Sequence, residues 1–597
     1  MNNENLQSPA IFETKYDVKN AKELEAKIHE EYETNDETEK ILTEYPTVYI
    51  INSALSKKDT YAVYVGETND IQRRTIEHLG EDPKVREDFA DFKQSSNAEM
   101  YVIGHKHFNK SMTLDIENRL MQYLSSVPAV SKLNNRRFND QNKYYDSEEF
   151  DGLFNQIWIS LHEKNAKLFP DAEKLKTKAI FKASPFNKLT DEQLKVKTKV
   201  ITKIDQALQT VNRDAKKAKL VLLEGEAGSG KTVLVSNIFY DLVHENRLSK
   251  KENLKVSVLV NQNEQLKVYE EITAKLFPKD SKIRIMKPAT FIKNTSTKKS
   301  KDDIVIIDEA HLLLTQNSQS YNGYGQKMID DILERARVVL AVFDPNQVLS
   351  IDSIIDNDYL EKIVNQTHGE VVSLEKQMRI DASDKTINWI RTLIDDDKIL
   401  PIPKDPKYRI KVFDDPKKMQ DEITDINKTQ YNGISRMVAT FDWKYSGGKE
   451  KPSSEQKYWK VSDGNWEMPW NYEIKRRDQY EKKHHSHTVK YSDLPWAEKD
   501  YTIGEIGSLY TVQGFDLNYV GVVLGPSVKY RDGKIIHDFN ESKNKKATNK
   551  LHSKTSYADK LLRNEFNVLL TRGVHGLYIY AVDKDLRAAL KKAEDRN

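Results

Sequence analysis

The spacing of hydrophobic and polar positions predicts a small mixed region in the first part of the chain. Apolar residues at partial helical spacing among Asp and Glu predict an acidic amphipathic helix from Lys19 to Glu44. After Pro46 the pattern changes to period two, which predicts a hairpin with strands at 47–51 and 61–66 and a polar connection. The pattern then predicts a helix from Asn69 or Asp70, a strand at 99–103 and a strongly periodic helix at 114–124.

Beyond Leu220, strands alternate with helices, which is typical of parallel sheets covered by helices on both faces. The first group of apolar strands is predicted at 220–223, 256–260, 304–307 and 338–343. The second alternation is predicted after 371–374, with strands at 409–412, 436–439, 520–524 and 577–581. A polar insertion rich in Trp and Lys, at about 443–500, interrupts it. We therefore expect two α/β lobes with an insertion in the second.

The expected fold class is multidomain α/β, with a small α+β domain followed by two lobes that contain parallel sheets. A length of 597 residues favours about four domains, at roughly 150 residues each. The segments are expected at 1–45 (acidic and helical), 46–160 (α+β domain), 161–205 (linker or bridging helices), 206–365 (first lobe) and 366–597 (second lobe).

Net charge, cysteine content and the absence of long apolar runs exclude several classes of site and of protein. Lys and Arg number 94 and Asp and Glu 92, a net formal charge of +2, so a nucleic-acid site has to be a local basic groove. The chain has no Cys, which excludes disulfides, thiolate nucleophiles and zinc sites built on Cys. The first ten residues show no apolar run, and no stretch approaches the ~18 apolar residues that cross a bilayer. We expect a cytoplasmic protein with no membrane partner.

The strongest motif is GEAGSGKT at Gly225–Thr232, which matches the pattern G-x-x-x-x-G-K-[ST] completely. It follows the predicted strand 220–223 and precedes a predicted helix, which is the context a phosphate-binding loop requires. Lys231 is expected to contact the β- and γ-phosphates of ATP, and Thr232 to bind Mg²⁺. The glycines expected to let the backbone approach the phosphates are Gly225, Gly228 and Gly230.

Two carboxylates follow the predicted strand 304–307, in the sequence IVIIDEAH. Asp308 is a candidate Mg²⁺ ligand, and Glu309 is a candidate base for the attacking water. Together with the phosphate-binding loop, this acid pair predicts hydrolysis of a nucleoside triphosphate.

Four further segments occur in the order found in superfamily 1 helicases, and the resemblance covers about Ala207 to the C-terminus. The segments are FDPNQ at 343–347, LEKQMR at 374–379, SLYTVQGFD at 508–516 and NVLLTRG at 567–573. Within the superfamily, the chain resembles the Schlafen-type helicase group. Three positions depart from the family pattern, because Phe343 replaces Gly, Tyr510 replaces His and Asp516 replaces Glu.

The resemblance implies two RecA-like lobes with ATP bound between them. It implies that Gln347 senses the γ-phosphate and that Arg379 and Arg572 are arginine fingers. It also implies nucleotide contacts at Gly514 and Asp516. Opening and closing of the lobes would move a single strand of nucleic acid along a track of basic and aromatic residues. Candidate track residues are Asn261, Tyr510, Trp466 and Trp470, although the two Trp residues equally suit a hydrophobic cluster within the insertion.

The N-terminal hairpin resembles the GIY-YIG nucleases over about Pro46–Tyr145. Val48-Tyr49-Ile50 and Tyr64-Val65-Gly66 match its two short motifs, although Thr47 replaces the first Gly and the connection is long. The later family residues are matched by Arg74, His78, Glu117, and Asn134 or Asn135.

The nuclease resemblance implies a role for each matched side chain. Arg74 would bind the scissile phosphate, and on one helix face it lies one turn from His78. Tyr49 and Tyr64 would relay the proton of a water nucleophile. Glu117 would be the one protein ligand of a Mg²⁺ ion that keeps several waters.

The combined resemblance implies an ATP-dependent DNA helicase or translocase fused to a Mg²⁺-dependent endonuclease. Single-chain bacterial anti-phage nuclease–helicase immunity proteins resemble this architecture, as do repair enzymes. The expected partner is nucleic acid, with DNA containing a single-stranded region favoured. The alternative is an ATP-switched binder or sensor of nucleic acid that does not unwind a duplex.

Overall fold

A computed structural model of the chain contains two compact units. Unit 1 comprises Met1–Leu189, Ser236–Lys250 and Val268–Ser281, and unit 2 comprises Thr190–Val235, Lys251–Lys267 and Lys282–Asn597. The structure describes residues 8–55, 60–81, 89, 92–134, 144–145, 147–176, 178–211, 215–244, 254–278, 280–295, 301–315, 327–353, 357–375, 377, 379–429, 434–446, 452, 458–471, 495–548 and 555–595.

Unit 1 is built around one five-stranded sheet. Its strands are β1 (Ala10–Lys15), β2 (Thr47–Leu55), β3 (Thr60–Thr68), β4 (Ala98–Gly104) and β5 (Val130–Asn134). Its helices are α1 (Val18–Lys22), α2 (Leu24–Tyr32), α3 (Asp36–Thr43), α4 (Ile71–Gly80), α5 (Lys110–Ser126), α6 (Phe150–Lys164), α7 (Ala172–Lys176) and α8 (Ala179–Lys182). The strand order is β1-β4-β2-β3-β5. β2 and β3 form the antiparallel hairpin that the alternating pattern predicts, and β5 lies parallel to β3.

The N-terminal segment differs from the single acidic helix expected at 19–44. It contains β1 and three short helices, and the Asn35 side chain caps α3 by accepting the N–H of Thr38. β1 pairs antiparallel with β4, and Leu24 and Ile28 are buried in the same hydrophobic cluster as side chains from β2 and β3. The expected boundary at residue 45 is therefore wrong, because the segment completes the sheet of unit 1.

The region expected as a linker, 161–205, is also divided differently. Phe169, Leu175 and Phe186 pack into the hydrophobic core of unit 1, with Phe154 and Trp158 from α6. The apolar side chains in this polar stretch are widely spaced, so its composition predicts a linker although these side chains are buried. Residues 161–189 therefore belong to the α+β unit, whereas a long helix of unit 2 begins at Asp191.

The first lobe of unit 2 contains a six-stranded sheet in which every pair of strands is parallel. Its strands are β6 (Lys219–Gly225), β7 (Val256–Val260), β8 (Ile283–Met286), β9 (Asp302–Asp308), β10 (Ala336–Phe343) and β11 (Glu370–Leu374). The helices are α9 (Asp191–Thr210), α10 (Lys231–His244), α11 (Asn263–Leu276), α12 (Pro288–Asn294), α13 (Met328–Leu333) and α14 (Asn357–Gln366). Of these, α10 from Ser236 onwards and α11 from Val268 onwards belong to unit 1. The strand order is β11-β6-β10-β9-β7-β8.

The first sheet continues beyond the expected lobe boundary at residue 365. β11 pairs parallel with β6 along Glu370–Leu374, so the chain leaves the first lobe only after Leu374. The pattern of β11 alternates between exposed and buried, as expected of an edge strand. Its hydrophobic pattern does not specify which sheet it joins.

The second lobe contains a five-stranded sheet that is also parallel throughout. Its strands are β12 (Arg409–Val412), β13 (Arg436–Ala439), β16 (Ile506–Ser508), β17 (Leu517–Leu524) and β20 (Gly573–Ala581), in the order β12-β20-β17-β13-β16. Two small hairpins are β14 (Lys460–Asp463) with β15 (Trp466–Pro469), and β18 (Val528–Arg531) with β19 (Lys534–His537). The helices are α15 (Asp384–Asp395), α16 (Pro416–Asn427), α17 (Leu509–Val512), α18 (Lys545–Thr548), α19 (Thr555–Leu570) and α20 (Lys584–Asp595).

These two parallel sheets, each covered by helices, are RecA-like lobes, as the alternating pattern predicts. Among the residues that the structure describes, no helix is long and apolar enough to span a membrane.

Candidate functional sites

The phosphate-binding loop of unit 2 joins the end of β6 to the start of α10. Gly228 and Gly230 have φ angles of +86° and +78°, in the left-handed region that side chains disfavour. A Cβ at Gly228 would also lie 2.7 Å from the Cβ of Arg379. The loop therefore needs glycine at these positions. Its backbone can approach a phosphate at the N-terminus of α10, where the helix dipole favours negative charge.

The ammonium group of Lys231 lies within this loop. It donates to the carbonyl oxygens of Gly225 (2.6 Å) and Glu226 (2.7 Å) and forms an ion pair of 3.1 Å with Asp344. Burial, the largest single effect, raises the pKa of the Asp344 carboxyl, but the charges of Lys231 and His311 and the hydrogen bonds from Gln347 and Lys231 together hold that pKa below its usual value. Lys231 is thus a buried, charged donor at the position that the motif predicts for phosphate contact.

Asp308 and Glu309 lie at the end of β9, on the sheet edge that carries the loop. Asp308 accepts hydrogen bonds from Gln265 Nε2 (2.8 Å) and from the N–H of Glu309 (3.0 Å). Glu309 has φ +54° and ψ +50°, a left-handed conformation that costs a non-glycine residue about 1–3 kcal/mol. Its Oε2 lies 3.3 Å from Nε2 of His311, and burial lowers the pKa of that imidazole.

Gln347 connects the two lobes of unit 2. Its Nε2 donates to Asp344 (2.6 Å), and its main-chain carbonyl accepts a hydrogen bond from Gln513 Nε2 (3.0 Å). Its Oε1 accepts from Nη2 of Arg572 (3.4 Å). Burial, and next the charge of Arg379, lowers the pKa of Arg572 to about 9. A guanidinium group from the second lobe therefore lies beside the residue that the motif identifies as the γ-phosphate sensor.

Arg379 also lies at the loop, although it pairs within the protein. Its N–H donates to the carbonyl of Gly228 (3.1 Å), and its guanidinium forms an ion pair with Asp516. Gly514, two residues before Asp516, has φ +86°, and a Cβ there would lie 2.9 Å from Gln262 Oε1. Asp516 therefore holds Arg379, whereas the resemblance implied a nucleotide contact for this carboxylate.

The structure brings the motif residues of unit 2 to one site, and it adds residues that sequence reasoning did not select. Asp344 lies directly after β10, at the same sheet edge as the loop, and this placement was a usable signal. His311 lies in the motif IVIIDEAH and Gln513 in the motif SLYTVQGFD, but the sequence predicted no role for either side chain. Gln193 Nε2 donates to the carbonyl of Ser229 in the loop (3.1 Å), and its signal was the capping box that it forms with Thr190.

Each of the four candidate nucleic-acid track residues packs or forms a hydrogen bond within the protein. Trp470 is fully buried in the cluster that also contains Met468, so it cannot stack on a base, and this candidate is wrong. Trp466 packs against the same cluster, and its indole N–H donates to Gln420. The other two candidates donate within the protein, Tyr510 to Asn544 Oδ1 (2.9 Å) and Asn261 to the carbonyl of Leu312 (2.9 Å).

In unit 1, the hairpin places Tyr49 of β2 directly opposite Gly66 of β3. A Cβ on Gly66 would lie 2.5 Å from Tyr49 Oη and 2.9 Å from the ring of Tyr64. The missing side chain of Gly66 therefore makes room for the two tyrosine rings, whose centroids lie 6.0 Å apart. This packing explains why the second short motif ends in glycine.

The hydroxyl of Tyr49 forms a buried hydrogen bond of 2.9 Å with Nε2 of His78 on α4. Burial, and next the neighbouring Tyr64, raises the pKa of Tyr49 well above its ordinary value, while the positive charge of Arg74 opposes this rise. Tyr64 also lies close to His78, with ring centroids 5.6 Å apart. Four candidate residues from three elements, Tyr49, Tyr64, Arg74 and His78, therefore lie close together.

Glu117 and Asn134 are carried by the two elements that flank this group. Glu117 is buried on α5, and its charge contributes to the raised pKa of Tyr49. Asn134 ends β5 and is the parallel-strand partner of Tyr64. Asn135, the alternative to Asn134, lies outside the described residues. Among the described residues, no group of three His, Asp or Glu side chains is arranged to hold a metal ion.

Two RecA-like lobes, a phosphate-binding loop and an acid pair at the end of β9 define unit 2 as a motor of the helicase class. Residues 218–583, more than half of the chain, match the family model of the Schlafen group 3 DNA/RNA helicase domain. The chain belongs to this family, and unit 2 carries its nucleic-acid helicase domain.

Two known proteins are similar to this chain. An uncharacterised protein of Saccharomyces cerevisiae, YPL245W, is 30% identical over 437 residues, which cover 67% of this chain and 90% of the yeast protein. The crystal structure of Pif1 helicase from Candida albicans is 13% identical, covers 68% of this chain and 98% of its own, and superposes with a TM-score of 0.28.

Proposed function

We propose that the chain couples ATP hydrolysis in unit 2 to movement on DNA, and that unit 1 is a Mg²⁺-dependent endonuclease. The buried bond between Tyr49 and His78, beneath the glycine that admits both tyrosines, is the observation that carries the nuclease assignment. The expected substrate is DNA with a single-stranded region. Phage defence and DNA processing are the roles that fit a fused nuclease and helicase.

In unit 2, Lys231 and the glycine backbone would hold the β- and γ-phosphates of ATP. The left-handed loop, which has no room for a Cβ at Gly228, fits such a cradle. Thr232 and Asp308 are the residues that would hold Mg²⁺, which supplies positive charge to the phosphate oxygens. Arg572 lies at the second lobe's contact with Gln347, where it can neutralise charge that develops on the γ-phosphate.

Glu309 is the base in this proposal. It accepts a proton from water while the water oxygen bonds to the γ-phosphorus, and the bond from that phosphorus to the bridging oxygen of ADP breaks. The carboxylate is held by a strained backbone and by the nearby ring of His311. Because Gln347 contacts Arg572 and Gln513, release of the γ-phosphate changes the contacts between the lobes.

In unit 1, Tyr49 is the residue expected to accept a proton from the attacking water. Since burial keeps its phenol protonated, Tyr49 first transfers its own proton to Nε2 of His78. The water oxygen then bonds to phosphorus, the bond to the leaving oxygen breaks, and Arg74 binds the charged phosphate. The leaving oxygen takes a proton from solvent.

Glu117 is the residue that would hold the metal of unit 1. A single buried carboxylate completed by waters suits Mg²⁺, which keeps several waters when it binds proteins. Once bound, the ion would supply further positive charge to the phosphate.

The test uses a labelled single strand and a tailed duplex, each with and without ATP and Mg²⁺. We expect cleavage that requires Mg²⁺ but not ATP, and strand separation that requires ATP. ATP turnover stimulated by DNA without strand separation would instead identify an ATP-switched binder. Intact DNA under all Mg²⁺ conditions would refute the nuclease.

A further inference from the structure

His78 lies between two oxygen-bearing side chains. The hydroxyl of Tyr49 contacts Nε2 at 2.9 Å, and Oε1 of Glu81 lies 3.7 Å from Nδ1 on the other side of the ring. The His78 side chain has no exposed surface, whereas that of Glu81 is 29% exposed. Burial therefore fixes the imidazole, and a carboxylate oxygen of Glu81 lies at ion-pair distance from its Nδ1.

Local structure places Glu81 at this position. α4 ends at Gly80, and the N–H of Glu81 caps it by donating to the carbonyl of Glu77 (3.1 Å). Residues three apart at a helix end lie on one face, so the cap positions Glu81 beside His78. On the opposite side, the ring of Phe89 stacks on the imidazole with centroids 4.2 Å apart.

The two contacts require one tautomer of the imidazole. Nε2 can accept the phenolic proton of Tyr49 only when it carries no hydrogen, and the neutral ring then carries its hydrogen on Nδ1. An anion beside Nδ1–H favours this tautomer and also stabilises the imidazolium that forms when Tyr49 gives up its proton.

We propose that Glu81 is a positioning residue that completes a Tyr49–His78–Glu81 proton relay. The inference rests on the nuclease function proposed above. The phenolic proton moves to Nε2, Nδ1 keeps its hydrogen towards Glu81, and Tyr49 regains a proton from the attacking water. His78 afterwards returns its extra proton to solvent. The carboxylate of Glu81 acts through the imidazole without touching the DNA.

The charged and titratable groups that face His78 come from each element packed against it. Among the described residues they are Tyr49 from β2, Tyr64 from β3, Arg74 one turn earlier on α4, and Glu81 following α4. Glu81 supplies the carboxylate of this group, so its removal should lower the pKa of His78. The acidic limb of the cleavage rate should then move to lower pH.

The experiment compares Glu81→Gln and Glu81→Ala with the full-length parent. The control is Glu39→Gln, which removes a carboxylate hydrogen-bonded to Nδ1 of His29 (3.0 Å) elsewhere in unit 1. Cleavage under single turnover, DNA affinity, and the pH profile are measured. Nitrogen NMR of ring-labelled histidine reports the tautomer, with the His78 signal assigned by its loss in His78→Gln.

We expect both Glu81 variants to cut about 10- to 100-fold more slowly, as is typical when a residue that orients a histidine is removed. DNA affinity and ATP turnover should be unchanged, the Nδ1–H tautomer of His78 should be lost, and the acidic limb should shift downwards. Glu39→Gln should retain the parental cleavage and the parental His78 signal.

An unaltered His78 tautomer and pH profile in the Glu81 variants would overturn the relay, even if cleavage falls through reduced folding. A parent that does not cut DNA would refute the proposed nuclease, and the NMR comparison would then decide separately whether Glu81 sets the tautomer.

Discussion

Oε2 of Glu309 lies 3.3 Å from Nε2 of His311, and the same nitrogen lies 3.4 Å from Nε2 of Gln513 in the second lobe. The imidazole therefore connects the proposed base with a motif on the opposite lobe. Since burial lowers its pKa below the ordinary value, His311 is neutral at physiological pH. A neutral ring can orient Glu309 without pairing permanently with its charge.

Substitution of His311 should slow ATP hydrolysis with little effect on ATP binding. We expect His311→Ala to reduce turnover about 10- to 100-fold, because the carboxylate of Glu309 loses an orienting partner. His368→Ala, at an exposed position of the same lobe, is the control. The measurement is steady-state turnover beside binding of a fluorescent ATP analogue. Parental turnover in a folded His311→Ala would contradict the orienting role.

Substitutions of Lys231 and Glu309 should impair different steps, ATP binding and ATP hydrolysis respectively. Lys231→Ala removes the amine that would neutralise the phosphates, so we expect loss of both ATP binding and turnover. Glu309→Gln keeps the size of the side chain but removes the base, so ATP should remain bound without being hydrolysed. Filter binding and phosphate release distinguish the two. Near-normal turnover in Lys231→Ala would refute the motor assignment.

The alternating patterns predicted the parallel sheets well, because strands buried on both faces leave continuous apolar runs such as Ile304–Ile307. The apolar runs did not predict which sheet an edge strand joins. β11 pairs with β6 although its hydrophobic pattern specifies no sheet, and β1 joins the first sheet from a segment dominated by acidic helices.

The candidate sites show the same limit. Motif spacing selected Lys231 and Glu309 as candidates, because the roles proposed for them depend on position within a loop and at a strand end. It could not identify Asp516 as the partner of Arg379, since that ion pair joins residues 137 positions apart. The sequence left two alternatives open for Trp470, stacking on a base or packing within the insertion, and the structure shows the second, since Trp470 is buried.

A methyl group at Gly66 should disable the nuclease without affecting the motor. The added Cβ would lie 2.5 Å from Tyr49 Oη, so Gly66→Ala should displace the tyrosine from His78 and abolish cleavage. Gly80→Ala is a matched control in the same unit, because a Cβ there meets no atom within 4 Å. Cleavage and ATP turnover are measured for both. If Gly66→Ala cuts like the parent, Tyr49 is not required.

The two units should lose activity independently. Glu117→Ala removes the proposed metal ligand and should reduce Mg²⁺-dependent cleavage by about 10²-fold or more, as expected when charge on the phosphate is poorly neutralised. ATP turnover should persist. Lys231→Ala should show the reverse on a single strand that needs no unwinding. Cleavage by Glu117→Ala at the parental rate would show that Glu117 is not the metal ligand. Loss of cleavage in Lys231→Ala would show that cleavage depends on ATP hydrolysis.

Glu565 is a fully buried carboxyl of the second lobe. It accepts hydrogen bonds from the N–H of Phe441 and from Asn544 Nδ2 (3.2 Å). Burial, and next the nearby carboxyl of Asp442, raises the pKa of Glu565 to about 8. Glu565 therefore carries a proton in the folded protein at neutral pH.

The raised pKa of Glu565 should make the second lobe less stable as pH increases. In the unfolded chain this carboxyl ionises near its ordinary pKa of 4.5, so the stabilisation is complete below that pH and is lost as pH rises through about 8. We expect the free energy of unfolding to fall across this interval by an amount on the order of a few kcal/mol. Glu565→Gln cannot ionise and should flatten the dependence, whereas Glu541→Gln, at a half-exposed site on the same lobe, should retain it. Denaturant unfolding from pH 5 to 8 measures the three slopes, and an unchanged slope in Glu565→Gln would exclude Glu565 as the titrating group.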